Sequence, residues 1–251
     1  MLKILVIGES CLDQFVYCDA ARLAPDVPVP VLTKRYRQEN PGMAANVQRN
    51  IQALGVQCEL TTQPNWQDTT KTRYVHESSN HTFIRVDDKD RIAPFAFLHQ
   101  ILGIIHDFDA VAISDYDKGF LSVDDIAHIA NAHPLTFLDT KKILCHQFLR
   151  CRYIKINLPE FQASRSVIER NPYLAGKVIV TAGREGAHFK NKQYPVERVA
   201  TGDVSGAGDT FFAALVVKTV QTGDVDQAIT FANECAAQVV RDRGVSIPKG
   251  Q

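Results

Sequence analysis

The chain has 251 residues, enough to bury a substantial core, and its 28 lysines and arginines balance its 28 aspartates and glutamates. A neutral chain without a basic block gives no electrostatic case for nucleic acid or an anionic membrane as partner. The six cysteines, at 11, 18, 58, 145, 151 and 235, form no Cys-x-x-Cys pair, and the eight histidines show no His-x-x-x-His spacing, so neither a zinc site nor a dithiol redox pair is indicated.

The opening "MLKILVIGES" holds an apolar run too short for a signal-peptide core or a membrane span, and the expectation is a reduced, cytoplasmic protein. In chain order, 2–8 (LKILVIG) reads as a buried strand. Residues 13–19 (DQFVYCD) and 31–38 (VLTKRYRQ) are strand-like but rich in polar side chains. A helix is predicted over 42–54, with Val47, Ile51 and Leu54 at helical spacing. Trp66, in "TQPNWQDTT", is expected in an exposed loop and carries no role. Polar strands recur at 70–77 and 82–87, joined by the turn "SSNH". Then follow the continuous aliphatic stretches 108–114, 135–140, 153–157 and 177–183. Runs of this kind are buried on both faces in a parallel sheet covered by helices. Helices are predicted over 206–221 and 224–242, the second with Ile229, Ala232, Ala236 and Val239 on one face. The β–α alternation predicts an α/β fold with a central parallel sheet, in one domain over 1–251. The polar strands around 13–38 and 70–87 predict a small sheet outside the main layers: a lid, a dimer surface or simply an antiparallel edge. No repeat or linker divides the chain.

Chemistry concentrates at Gly206-Ala207-Gly208-Asp209, where a glycine turn opens an apolar helix. A helix N-terminus offers free backbone N–H groups and a positive dipole end, which suit an anion. An acid in a first turn also stabilises a helix that has no function, so the local pattern alone leaves both readings open. The turn carries no lysine and is not the Gly-Lys-Ser/Thr phosphate loop. An anion hole beside a carboxylate suits phosphoryl transfer, with the N–H groups facing the transferring group and Asp209 taking the proton of an attacking hydroxyl.

"DVSGAGDTF" (203–211) resembles the C-terminal signature of the ribokinase/PfkB family of sugar kinases, and "NPGMAANVQRNIQALG" (40–55) resembles its N-terminal substrate motif. "ISDYDKGFL" (113–121), "DTKK" (139–142), "INLPEF" (156–161) and "VTAGREG" (180–186) follow in the family's order, so the resemblance runs from about residue 3 to 248. With "CLDQFVY" (11–17) and "APDVPVPV" (24–31), it is similar to the branch that phosphorylates D-glycero-D-manno-heptose 7-phosphate at O1.

The resemblance implies a ribokinase-like three-layer fold with a mostly parallel sheet and a β lid, and ATP with Mg2+ as cofactors. A lid carrying Phe15, Val16, Tyr36, Tyr74 and Phe83 would leave an apolar patch in water, so a homodimer formed through the lid is expected. It implies Asp209 as catalytic base and Gly206, Ala207 and Gly208 as the anion hole. Asp13, Gly42, Met43 and Asn46 fall at the sugar-binding positions. Asn157 and Glu160 match the site that organises magnesium and the ATP phosphates, partly through water. Thr181, Gly183, Gly186 and Asn233 match the nucleotide site. Asp203 and Ser205 match a monovalent-cation (K+) site. Lys118, past the end of a buried strand, implies a phosphorylated substrate; its bland reading is a solvated lysine. Arg73 and Arg85 are candidates to assist, although ordinary surface pairing with Asp87 or Asp88 is the stronger expectation for each.

The sequence departs from the family in three places. Met43 stands where a second glycine is usual, with its side chain expected to protrude toward the sugar. Glu9 replaces an aspartate. The chain is also short after "CELTT" and between Glu160 and Val178, where a strand–helix unit and a helical stretch are expected to be missing or trimmed. These features keep open a catalytically weak sugar-phosphate-binding relative with a regulatory role. A Rossmann-type oxidoreductase is favoured only by "VIGES", which lacks the further glycines of a dinucleotide loop.

Overall fold

The computed structural model describes residues 1–197 and 205–241. Its main sheet contains β1 (Lys3–Gly8), β4 (Gln57–Thr61), β7 (Ala110–Asp115), β8 (Thr136–Thr140), β9 (Tyr153–Asn157), β10 (Val178–Thr181), β11 (Ala187–Phe189) and β12 (Lys192–Tyr194). They lie in the order β12-β11-β10-β9-β8-β7-β1-β4, parallel except for β11 and β12 at one edge. A second sheet, ordered β3-β2-β5-β6, is built from β2 (Ser10–Leu23), β3 (Pro30–Met43), β5 (Thr70–His76) and β6 (Thr82–Asp88).

The strands β1, β7, β8 and β9 are apolar because helices cover both faces of the main sheet. One face, carrying Leu5, Ile7, Val111, Ile113, Leu138 and Ile154, packs on α2 (Leu98–Ile104), α3 (Val123–Ala132), α4 (Leu158–Arg170) and the one-turn α5 (Pro172–Ala175). The other face, carrying Ile4, Val6, Ala110, Ala112 and Phe137, meets α1 (Ala44–Ala53) and α6 (Ala207–Thr222), while α7 (Val225–Val240) packs beside α6 over Ile179 and Phe189. Because α6 lies between α1 and α7, every residue from Asp209 to Val217 is buried, which explains an apolar sequence with little amphipathic pattern.

The α/β class, the strands of the main sheet predicted from aliphatic runs, and the three principal helices all appear. Between Glu160 and Val178, where a helical stretch is expected to be trimmed, lie most of the 13-residue α4 and the one-turn α5. Two expectations need correction. The lid strands are much longer than 13–19 and 31–38: β2 and β3 pair antiparallel from Ser10↔Met43 outward over 14 residues each. Trp66 sits in a short 3-10 turn, Trp66–Asp68, and is half-buried. All six cysteines are free, and no helix of the described residues is long and apolar enough to cross a membrane.

Candidate active site

The loops at the carboxyl ends of β1, β7, β8, β9 and β10 converge where α6 begins, which is where ligands of an open parallel sheet bind. Gly206 caps α6 with φ of 81°, a left-handed conformation that glycine adopts without steric penalty, and Asp209 follows in the first turn. The Asp209 side chain is fixed on both oxygens. Asn46 Nδ2 donates to Oδ2 at 2.9 Å, and the Tyr116 hydroxyl donates to Oδ1 at 2.6 Å. Burial raises the Asp209 pKa to about 6, against the opposing pull of these two hydrogen bonds.

Asp209 lies on the wall of a cavity of about 960 Å³ together with Gly206, Ala207, Gly208, Asn157, Thr181, Gly183, Gly186 and Asn233. Nine residues named from the sequence, scattered over 77 positions of the chain from Asn157 to Asn233, thus line one cavity. Asn233 is buried there and donates Nδ2 to the Tyr194 carbonyl at 2.9 Å. Glu160 is not on this wall. It forms a capping box with Asn157 at the start of α4, accepting from the Asn157 N–H at 2.7 Å, and it pairs with Lys141. Ser205 lies in the turn before Gly206, and Asp203 falls outside the described residues.

Asp13, Gly42, Met43 and Asn46 gather where β2, β3 and α1 meet, and Asn46 reaches Asp209 from there. A Cβ on Gly42 would collide with the Asp13 carboxylate and come within 2.7 Å of Cys11 Sγ, so this backbone packs directly against the side chains of β2. Asp13 accepts from Arg73 Nη1 at 2.7 Å; Arg73 therefore pairs across the lid rather than with Asp87 or Asp88. Arg85 does take the expected surface partner, Asp87, at 2.8 Å. Met43 is buried and caps α1 with φ of 60° and ψ of −132°, a region costly for any residue with a side chain. Lys118 forms an ion pair with Asp90, and its own N–H donates to Glu9 Oε1 at 3.0 Å.

Four participants were not singled out from the sequence as site residues. Tyr116 is one. Lys155 and Asp139 form a buried ion pair at 2.8 Å beside the glycine turn, and a Cβ on Gly208 would lie 3.2 Å from Lys155 Nζ. Burial pushes the Asp139 carboxyl up, against the pull of the Lys155 ammonium. Lys71, only 9% exposed, makes no ion pair among the described residues; its ammonium sits 4.8 Å from the centre of the Tyr116 ring. A charge in the middle of an otherwise apolar strand, as at "YIKIN" and "TFLDT", is the sequence signal that would have found the pair.

Comparison with known proteins bears on the same arrangement. A model described as "pfkB family carbohydrate kinase" matches residues 110–250. The chain is similar to the bifunctional protein HldE of Vibrio vulnificus (strain YJ016), at 27% identity over 97% of this chain and 61% of that protein. It thus spans about 61% of the length of such curated relatives. Among solved structures, ribokinase from Thermotoga maritima aligns with a TM-score of 0.74 at 16% identity, covering 98% of this chain and 95% of that one. Phosphofructokinase-2 from Escherichia coli in complex with potassium aligns with a TM-score of 0.72 at 15% identity, covering 99% and 96%. The fold is ribokinase-like, and the chain belongs to the pfkB family of carbohydrate kinases, enzymes that phosphorylate sugars with ATP.

Proposed function

We propose that the chain transfers the γ-phosphoryl group of ATP to a hydroxyl of a phosphorylated sugar, O1 of a heptose 7-phosphate being the best candidate, with Asp209 as general base. The observation that carries this reading is the buried Asp209 carboxylate, held on both oxygens at the glycine-turn start of α6 and facing a cavity large enough for a nucleotide. The acceptor oxygen forms a new bond to the γ-phosphorus as the bond to the bridging oxygen breaks. The acceptor proton passes to Asp209, and ADP leaves with the electron pair. The first-turn N–H groups of α6, which an α-helix leaves without intrahelical partners, face the charge that spreads over the transferring oxygens, and Lys155 adds a cation beside them.

Among the described residues no group of three or more histidine, cysteine or acidic side chains forms a metal cage. Magnesium binds mainly through nucleotide phosphates and keeps several of its waters. Glu160, already engaged by the Asn157 backbone and Lys141, would hold it through water, with Asn157 beside it. Bound there, the ion neutralises phosphate charge. A potassium site at Asp203 and Ser205, near the start of α6, belongs to the same proposal, prompted by the potassium complex of phosphofructokinase-2.

The acceptor would lie between Asp13, Gly42, Met43 and Asn46. Lys118 can hold its phosphate only by exchanging Asp90 for it, whereas Lys71, buried and without a carboxylate partner among the described residues, needs no exchange. Both are proposed as anchors. We place this enzyme in the cytoplasm, as one kinase unit whose four-stranded sheet is the lid and the surface of a homodimer. The strained Met43 favours one second reading, a catalytically weak sugar-phosphate-binding relative with a regulatory role. A panel of sugars and their phosphates assayed for ADP release separates these readings. Preference for a phosphorylated sugar is expected. Preference for the unphosphorylated sugar would refute the sugar-phosphate assignment, and absence of turnover with bound ATP would favour the second reading.

A further inference from the structure

Tyr116 touches both halves of the site. Its hydroxyl donates to Asp209 Oδ1 at 2.6 Å. Its ring lies 4.8 Å from the ammonium of Lys71, which comes from the lid, and 5.2 Å from that of Lys141, which pairs with Glu160 on the nucleotide side. The loop that carries Tyr116 is itself fixed by a buried carboxylate. Glu9 Oε2 accepts the Tyr116 N–H at 2.8 Å and Oε1 accepts the Lys118 N–H at 3.0 Å. Between them Asp117 turns the chain with φ of 55°, tied through Lys142 to Asp115 at 2.6 and 3.0 Å.

Resting on Asp209 as the base, we propose that Tyr116 is a positioning residue for phosphoryl transfer: its phenol holds the carboxylate in line with the acceptor, and Glu9 holds the phenol through the loop. Each carboxylate oxygen has two acceptor directions. Tyr116 and Asn46 fill one on each oxygen, so an acceptor hydroxyl can bond to Asp209 without displacing either. The phenol keeps its proton throughout, because burial and the neighbouring Asp209 push its ionisation far above that of an ordinary tyrosine. The acceptor proton therefore has one destination, the carboxylate. The charged groups around it are Lys155 and Asp139 from β9 and β8, Lys71 and Asp13 from the lid, and Lys141 after β8.

Tyr116→Phe in the full chain, assayed with ATP and the preferred sugar phosphate, tests this. Removing a donor to the charged carboxylate makes the base harder to ionise, so the acid limb of kcat/KM should move up by about one pH unit. The kcat should fall by about tenfold or more, with KM for ATP unchanged. Glu9→Gln, which keeps one acceptor for the two loop N–H groups, should give the same signature in smaller measure and serves if Tyr116→Phe fails to fold. A kcat and acid limb coincident with the parent would overturn the proposal. So would a fall in kcat with an unmoved acid limb, which would make Tyr116 a packing residue. Asp209→Asn run alongside separates the two levels. Near-parental turnover in that variant would remove the base itself, whereas its inactivity beside a silent Tyr116→Phe would remove only the positioning role.

Discussion

Asn46 and Asp209 are 163 residues apart in the chain, and their side chains meet at 2.9 Å where the N-termini of α1 and α6 converge. The Asn46 amide is turned the right way because Asn50, one helical turn on, donates to its Oδ1 at 3.1 Å, and Thr210 donates in turn to Asn50 at 2.9 Å. A buried chain of amides and a hydroxyl thus sets the carboxylate, and every member has a partner. Replacing Asn46 by Ala should lower kcat/KM for the sugar by about 10- to 100-fold, the scale of a hydrogen bond to a charged group. Steady-state kinetics checks this; unchanged kinetics would mean that Asn46 neither orients the base nor meets the acceptor.

Lys71 and Lys118 make separable predictions. Lys71→Met should reduce kcat/KM for a sugar phosphate by about 10- to 150-fold, since one charge-assisted contact is lost, while the ATP dissociation constant stays nearly constant. Lys118→Met should have the smaller effect, because its ammonium already has Asp90. Parallel assays on the phosphorylated and unphosphorylated sugar check both; equal losses on the two sugars would assign the lysine to the fold or the nucleotide.

These two lysines also show where the sequence was legible. The strand before Lys118 is a plain aliphatic run, so a lysine just beyond it stands out. Lys71 lies in a strand of mixed polarity, and nothing local distinguishes it from its neighbours in "TKTRYVHE". Its burial depends on the parallel pairing of β5 with β2, which sets Lys71 against Asp13, and on Tyr116 arriving from another sheet. Asp139 and Lys155 become partners only once β8 and β9 are neighbours in a register that aligns them. Helix α3 was missed although Ser122 and Asp125 form a capping box before its apolar face. The glycine turn was readable because backbone conformation and acid sit within four consecutive residues. Side chains brought together by strand order were not.

The pH dependence of stability follows from the raised pKa of Asp209. A carboxyl that titrates near 6 in the folded chain and near 3.8 when unfolded retains its proton better when folded. Between about pH 4 and 6 the unfolded chain ionises first, so folding loses stability as pH rises through this window, and the whole cost stands above it. That cost has an upper limit of about 3 kcal/mol for a shift of about two units. Asp209→Asn should therefore melt above the parent at pH 8, with the gap closing as the pH falls from 6 to 4. Thermal melts across this range check it; a pH-independent gap would mean that Asp209 is not held near pKa 6.

The lid predicts an assembly. Of the five side chains expected to form an apolar patch on the lid, Phe15 and Val16 are buried within the chain, Tyr74 and Phe83 are half-buried, and Tyr36 is 40% exposed. The apolar surface of β6 falls instead on Ile84 and Val86, 53% and 47% exposed, which project from the same side of the strand. Pairing of two lids would cover them. Light scattering should show a dimer at micromolar concentration, and the double variant Ile84→Asp, Val86→Asp should be a monomer. A monomeric parent would contradict the lid interface.

The central claim is that Asp209 takes the proton in a phosphoryl transfer to a sugar. The most direct test is the kcat of Asp209→Asn with ATP, magnesium and the preferred sugar phosphate, measured together with its ATP dissociation constant. A general base contributes about 100-fold or more. The account predicts a loss of at least that size in a folded variant that binds ATP as the parent does. Turnover close to the parent's would contradict it.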